Sequence, residues 1–117
     1  MLSNRLVLVA ALVLTAWSVC LSNAPTPRRI EIVAKRFTYT PNEITLKKNE
    51  PVVLVLRSAD VTHGIEISEL NIKAEIKKGK NTEAELTPTV AGQFEGKCAF
   101  FCGAGHGTMK LRINVVE

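Results

Sequence analysis

Val52-Val53-Leu54-Val55-Leu56 is an unbroken apolar run in which three of the five residues are β-branched. A short run of this composition favours a buried strand, because β-branched side chains pack well on a pleated surface. Turn-forming residues stand immediately before it, at Lys48-Asn49-Glu50-Pro51. The segment therefore predicts an inner strand of a β-sheet.

Shorter segments on both sides of this run alternate apolar and polar residues, which is the period of a strand with one buried face. They are Ile30–Val33 and Ile44–Leu46 upstream, and Ile65–Ile67, Ile72–Ile76, Thr82–Leu86 and Leu111–Val115 downstream. After residue 29 no window shows a convincing helical period. Seven or eight short strands at this spacing predict an all-β domain, either a β-sandwich or a Greek-key barrel.

The first part of the chain differs from the rest. Arg5 is followed by a stretch without charge that runs as far as Pro27, and a basic residue before an apolar run predicts an export signal. The segment is either cleaved after Ala24 or retained as a single membrane anchor over residues 6–24, and lipidation of Cys20 is a third alternative. We divide the chain into 1–27, signal or anchor, and 28–117, a domain expected in the periplasm or on the outer face of the cytoplasmic membrane.

The charge of the chain is mildly positive. Fifteen Lys and Arg residues stand against 11 Asp and Glu, which gives a formal net charge of +4. The basic residues are scattered and aromatic residues are few, so the pattern argues against nucleic-acid binding. A small basic exported domain suits an acidic partner or an anionic membrane surface. No acid–base pair stands out among the carboxylates, and no catalytic residue is predicted.

The residues that can bind a soft metal are concentrated in one loop. Beyond the first segment the chain has two Cys, two His and one Met, and four of these five fall within Cys98–Met109. Their order is Cys98, Cys102, His106, Met109. The fifth, His63, is expected after a short loop that follows the strand Val52–Leu56, from where it would close the site from a second direction. Thiolate, thioether and imidazole together form the ligand set that selects copper.

Each of these residues also has an ordinary structural interpretation. Two cysteines in an exported protein commonly form a disulfide, and a lone Met109 would fill the core. Independent structural residues would have no reason to gather in one C-x3-C-x3-H-x2-M loop. The joint pattern therefore predicts a metal site.

Three kinds of metal site are compatible with the donors. A mononuclear blue-copper centre would use His63, Cys102, His106 and Met109 and leave Cys98 idle. A structural zinc site would use both cysteines and both histidines and leave Met109 idle. A binuclear copper site, bridged by both thiolates, uses all five residues and is the prediction that leaves no donor unexplained.

The segment from Ser58 to Met109 resembles the copper A domain of cytochrome c oxidase subunit II. The likeness is carried by Ser58–Gly64, Leu70–Lys73, Ala91–Cys98 and, at every ligand position, Cys98–Met109. The resemblance implies a cupredoxin fold, that is, a Greek-key β-sandwich, here preceded by one N-terminal hydrophobic segment.

The same resemblance implies the arrangement of two copper ions. Cys98 and Cys102 would bridge them, and His63 and His106 would each bind one. Met109 would be a weak ligand to one ion, and the backbone carbonyl of Phe100 a weak ligand to the other.

The sequence departs from this family at Phe100. The family usually has Glu there, and that side chain reaches a magnesium site shared with subunit I. An aromatic residue between the cysteines is instead similar to the copper A domain of nitrous oxide reductase. Phe37 and Tyr39 are the only upstream candidates for the aromatic cluster at which cytochrome c usually delivers its electron.

The resemblance therefore implies electron transfer, either as a free-standing carrier or as the electron-input component of an oxidase-type complex. The redox partner would be a c-type cytochrome or an oxidase or reductase subunit. A copper-delivery protein and a mononuclear blue-copper protein are the alternatives.

Overall fold

The computed structural model describes residues 26–100 and 102–117. In chain order its strands are β1 (Arg28–Lys35), β2 (Thr38–Thr40), β3 (Glu43–Lys47), β4 (Val52–Ser58), β5 (His63–Ile67), β6 (Ile72–Ile76), β7 (Thr82–Leu86), β8 (Gly92–Lys97) and β9 (Lys110–Val116). Two 3-10 turns, at Ser68–Leu70 and His106–Thr108, are the helical elements in the described part of the chain. None of its helices has the length and apolar character needed to cross a membrane. Residues 1–25 of the expected signal or anchor, including Cys20, lie outside the described residues.

The first sheet has the strand order β2-β1-β4-β7. β4, which contains the unbroken apolar run, is an inner strand as predicted. It pairs in parallel with β1, where Leu56 lies opposite Ile32, and antiparallel with β7, where Leu54 lies opposite Ala84. Its apolar residues are buried, except for the partly buried Val55, because the strand has neighbours on both edges and the second sheet across one face.

The second sheet has the order β3-β9-β8-β5-β6. β8 is antiparallel to β9, with Lys97 opposite Lys110, and antiparallel to β5, with Lys97 opposite Glu66. Antiparallel neighbours run in opposite directions. The end of β8 therefore meets the beginning of β9, and the residues that follow β8, Ala99 and Phe100, lie against Gly64 at the beginning of β5. We call this end of the sheet the site end.

The alternating residues of both sheets meet in a single core. Each fully buried aliphatic side chain contributes about 1.5–3 kcal/mol relative to an exposed one. The buried aliphatic residues include Ile32, Leu46, Leu54, Leu56, Ile65, Ile67, Ile76, Leu111 and Ile113. The core extends without interruption to Cys98, Cys102 and Met109. The all-β sandwich predicted from the alternation is thus confirmed.

One local element differs from the sequence prediction. β2 was not expected, and its Tyr39 is buried because the short strand pairs with β1 and turns this side chain into the core. His63 follows the short loop after β4, as expected, and it is the first residue of β5, where it pairs with Ile76.

Candidate metal centre

Strand ends hold the backbone of three candidate ligands. His63 begins β5, Cys98 directly follows β8, and Met109 directly precedes β9. Because these strand ends meet at the site end, side chains that are far apart in sequence lie close together. The loop 98–109 supplies Cys102 and His106 between its two fixed ends.

The sulfur atoms form a compact group around Cys102. Its Sγ lies 3.8 Å from Cys98 Sγ, 3.9 Å from Met109 Sδ and 3.9 Å from His106 Nδ1. A disulfide bond would bring the two cysteine sulfurs to about 2.0 Å, and both thiols are free. The ordinary disulfide interpretation of these cysteines therefore does not describe this structure.

His63 completes the group from the other strand. Its side chain is fully buried, and one donor atom each from His63, Cys98 and Cys102 lie within 4.8 Å of one another. Its Nδ1 is buried without a hydrogen-bond partner among the described residues. A buried polar atom without a partner costs about 1–3 kcal/mol. A metal ion bound to this nitrogen would remove that cost.

Asp60 fixes the proton on the His63 ring. Its Oδ1 lies 2.6 Å from His63 Nε2. An ionised carboxylate only accepts hydrogen bonds, so Nε2 carries a proton, and in the neutral ring Nδ1 then keeps its lone pair. This tautomer is the one that a metal ligand needs, and an outer carboxylate commonly sets it.

Asp60 is itself held in its ionised form. Burial works to raise its pKa, but the backbone N–H of Arg36, the His63 ring and the N–H of Val61 donate to the carboxylate and hold its pKa at about 2. The Arg36 and Val61 bonds measure 2.7 and 2.6 Å. The carboxylate is therefore an anion at neutral pH, as the histidine tautomer requires.

Burial also affects the thiol and phenol beside the site. Burial, followed by the hydrogen bond and charge of Cys98, raises the pKa of the Cys102 thiol to about 11. Burial, followed by the charge of Cys98, raises the pKa of Tyr39. The Tyr39 hydroxyl donates a 2.6 Å hydrogen bond to the carbonyl of Gly64, the residue after His63. A soft cation would have to displace the Cys102 proton on binding.

The turn between β1 and β2 supports the loop from outside. Arg36 Nε donates to the Cys102 carbonyl at 2.9 Å. The Phe37 ring lies so close to Gly103 and Gly105 that a Cβ at either position would come within 3.0 Å of it. Gly103 also has a φ of +140°, which other residues rarely adopt. These two glycines let the loop pack against an aromatic ring.

Phe100 presents its backbone to the site and its ring to a neighbouring strand. Its carbonyl oxygen lies 3.0 Å from Cys98 Sγ. Its ring packs on Gly64, where a Cβ would come within 2.4 Å of it, and the side chain is 38% exposed. The structure thus places the carbonyl, and not the side chain, beside the sulfur group.

The donor set fits copper. Two free thiols, a thioether and two imidazoles suit a soft or borderline ion, and His63, whose Nδ1 has no hydrogen-bond partner among the described residues, lies in the same group as the thiols. Sequence reasoning missed Arg36, Asp60 and Tyr39 as supporting residues. Asp60 stands three residues before His63, which is a usable signal, whereas nothing local in the sequence connects Arg36 to Cys102.

The known proteins that resemble this chain in sequence are a cupredoxin-like domain family and subunits of cytochrome c oxidase. A profile of the family described as cupredoxin-like domain matches residues 7–110. Cytochrome c oxidase subunit 2 of Thermus thermophilus is 30% identical over 93 residues, which cover 80% of this chain and 69% of that protein. Probable cytochrome c oxidase subunit 2 of Rickettsia prowazekii is 29% identical over 90 residues, but these cover only 29% of that protein. The chain thus spans less than a third of the Rickettsia relative.

A solved structure shares the fold. The periplasmic domain of subunit II of cytochrome oxidase (CoxB) of Bradyrhizobium japonicum superposes with a TM-score of 0.72, at 22% identity. The match covers 77% of this chain and 84% of that one. The two chains therefore have the same β-sandwich.

Proposed function

Because the chain belongs to the cupredoxin-like domain family and is homologous to cytochrome c oxidase subunit II, we propose that it transfers electrons through a binuclear copper A centre. The observation that supports this most is the pair of free thiols, Cys98 and Cys102, with sulfurs 3.8 Å apart. His63, His106 and Met109 stand around them. In this proposal Cys98 and Cys102 would be shared by two copper ions, and His63 and His106 would each hold one of them.

The binuclear site is favoured over the mononuclear one by the position of Cys98. A blue-copper centre needs a single thiolate, two imidazoles and a weak axial thioether. Cys98 would then have no role, yet its sulfur is buried within the donor group and touches the carbonyl oxygen of Phe100. In the proposed centre that carbonyl and Met109 would each be a weak ligand to copper.

Bound copper supplies the redox couple, and the protein holds its surroundings constant. Asp60 retains the His63 tautomer, so Nδ1 keeps its lone pair in both oxidation states. Arg36 and the Phe37 ring restrain the loop 98–109 at the Cys102 carbonyl and at Gly103 and Gly105. Cys98, Cys102 and Met109 are at most 5% exposed, so water is kept from the sulfurs. A site that moves little when its charge changes suits electron transfer.

The partner and the location belong to the same proposal. The relatives are subunits of oxidases, so we propose that the domain works outside the cytoplasm and exchanges electrons with a redox protein or another oxidase subunit. Where this chain has Phe100, subunit II usually has a glutamate whose side chain reaches a magnesium site shared with subunit I. We therefore favour a domain that works without subunit I beside it.

The decisive experiment uses the full-length chain in a nonionic detergent, with its thiols reduced before copper is added. We expect two coppers per chain, intense thiolate absorption, and an electron paramagnetic resonance signal in which one unpaired electron couples to two copper nuclei. A single copper with the hyperfine pattern of one nucleus would refute the binuclear proposal. Absence of colour, with zinc bound tightly instead, would refute the copper proposal altogether.

The variant Cys98→Ser separates the two copper sites. The binuclear centre should lose its shared-electron signal, because one bridge is removed. A mononuclear centre would keep its single blue band, since Cys98 is not among its ligands. Repeated reduction and reoxidation without copper release separates an electron carrier from a copper-delivery protein, which would release the metal to a competing chelator.

A further inference from the structure

The turn between β6 and β7 carries three exposed lysines. Lys77, Lys78 and Lys80 are exposed, and none of them forms an ion pair with another described residue. β6 ends at Ile76, which is paired with His63. These lysines therefore begin one residue beyond the partner of a candidate copper ligand.

This turn is continuous with the segments that surround the centre. A parallel bridge joins Lys78 to Ser58, the last residue of β4. Arg57, Ala59, Lys78 and Lys80 are among the residues that line a concavity of about 430 Å³. The next residue after Ala59 is Asp60, which accepts from the Arg36 amide, and Arg36 reaches the Cys102 carbonyl. We name Arg36, Arg57, Lys77, Lys78 and Lys80 the cationic surface.

Some acidic groups lie close to the cationic surface. Glu31 pairs with Arg57 at 3.1 Å, and Glu75, Glu83 and Glu85 line a concavity together with Lys77 and Lys80. Asp60 is occupied by two backbone N–H groups and the His63 ring. The loop 98–109 contains no Asp, Glu, Lys or Arg. Lys78 and Arg36 each line a concavity that has no carboxylate in its lining, so their charges are the ones left open to a partner.

The other side of the site end is balanced. There Glu95 pairs with Lys110 at 3.0 Å, and Glu43 lies 4.0 Å from Arg112. These residues line a second concavity of about 300 Å³ together with Thr108. On this side Lys110 and Arg112 thus lie beside carboxylates, unlike Lys78 and Arg36.

We propose that the cationic surface docks an acidic redox protein, whose carboxylates face Lys78, Lys80 and Arg36 while electrons pass by way of Cys102. The proposal rests on the electron-transfer function proposed above and names its partner class. Oppositely charged surfaces speed association and orient the partner. A partner is favoured over a membrane because the surface adjoins a depression of about 320 Å³ lined by Arg36, Val61, Thr62, Cys102 and Gly103. Cys102, a candidate ligand, is part of the lining of that depression.

The first test maps the surface without any redox step. The redox-inert anion hexacyanochromate(III) is paramagnetic and broadens the amide resonances near which it binds. Titrated into the metal-free full-length chain in nonionic detergent, it should broaden residues 77–80 and Arg36 before any others. Broadening that is uniform, or strongest near Lys47 and Lys48 at the opposite end, would overturn the proposal.

The second test measures electron exchange with two proteins of opposite charge, acidic cytochrome b5 and basic mitochondrial cytochrome c. With the copper-loaded chain, the rate for cytochrome b5 should be higher at low salt and fall as ionic strength rises. Lys78→Glu should slow it by on the order of fivefold. Lys47→Glu, a matched reversal at an exposed residue of the far end, should change it little. Equal slowing by both variants would overturn the proposal, since net charge alone would then explain the rates.

Two further outcomes have distinct meanings. Vesicles of phosphatidylglycerol that bind the chain tightly and protect residues 77–80 from hexacyanochromate would overturn the acidic-protein assignment in favour of a membrane surface. A loaded protein that exchanges electrons with neither cytochrome would count against the proposed function. In that case the hexacyanochromate map would still decide whether the cationic surface binds anions.

Discussion

Leu54 and His63 are both fully excluded from solvent, yet they lie in very different surroundings. Leu54, in the middle of β4, is surrounded by aliphatic side chains and has no polar atom to satisfy. His63, at the site end, faces two thiols and keeps a ring nitrogen without a partner. Burial stabilises the first region and costs free energy in the second.

The difference indicates that the two regions have separate roles, one in stability and the other in metal binding. The aliphatic middle supplies the stability that allows the site end to hold polar groups away from water. Substitutions in the middle should therefore change unfolding but not metal binding, and substitutions at the site end should do the reverse. The predictions below test that separation.

The largest expected effect is that of Cys102→Ser. The sulfur lost is the one that lies within 4 Å of Cys98, His106 and Met109. We expect complete loss of the thiolate absorption, with the unfolding free energy of the metal-free protein changed by about 1 kcal/mol or less. Optical titration with copper and urea unfolding measure the two effects. Ala104→Ser, at an exposed position of the same loop, is the control and should keep the colour.

Leu54→Ala should have the largest effect on folding. Removing a buried leucine side chain typically costs about 3 kcal/mol, because a cavity remains in the core. We expect this loss in urea unfolding of the metal-free protein, with the same number of coppers bound per folded chain. A folded variant that binds less copper would show that the two regions are not separate.

Asp60→Asn should weaken copper binding without much change in folding. The amide can donate to His63 Nε2 as well as accept from it, so the ring tautomer is no longer fixed. Loss of such an outer partner typically lowers metal affinity by about 10–100-fold. Competition with a copper chelator measures the affinity. Glu69→Gln, at an exposed residue away from the site end, removes a carboxylate in the same way and should leave the affinity unchanged.

Tyr39→Phe should give the smallest effect and lies on the boundary between the regions. It removes the hydroxyl that donates to the Gly64 carbonyl at 2.6 Å. The expected loss of unfolding free energy is about 1 kcal/mol. Because Gly64 follows His63, we also expect a measurable shift in the reduction potential of the copper-loaded protein. Thr38→Ala, one residue away and exposed, should shift neither quantity.

The sequence predicts the middle of the molecule better than the site end. The apolar run of β4 and the alternation at Ile72–Ile76 and Leu111–Val115 are local signals, and each appears in the structure as a strand. β2 is only three residues long, which is too short to show a period. Its existence depends on pairing with β1.

At the site end the sequence shows which residues can bind a metal, but it does not show which residues hold them in place. The spacing of Cys98, Cys102, His106 and Met109 marks the loop through rare residue types alone. Arg36 and the Cys102 carbonyl are 66 positions apart, and Tyr39 and Gly64 are 25 apart. Contacts of this range follow from the strand order, which no local pattern encodes.

Lys97 and Lys110 lie opposite each other in the sheet, so the loop 98–109 leaves and re-enters the sandwich at a single paired position. Residues can therefore be inserted, deleted or replaced in this loop without disturbing β8 and β9. His63 would remain in place on β5 throughout. A descendant with a shorter excursion that lost Cys98 would still hold two imidazoles, a thiolate and a thioether, the donor set of a mononuclear blue-copper centre. Replacement of this one loop, in evolution or by loop grafting, could therefore convert a binuclear copper centre into a mononuclear one.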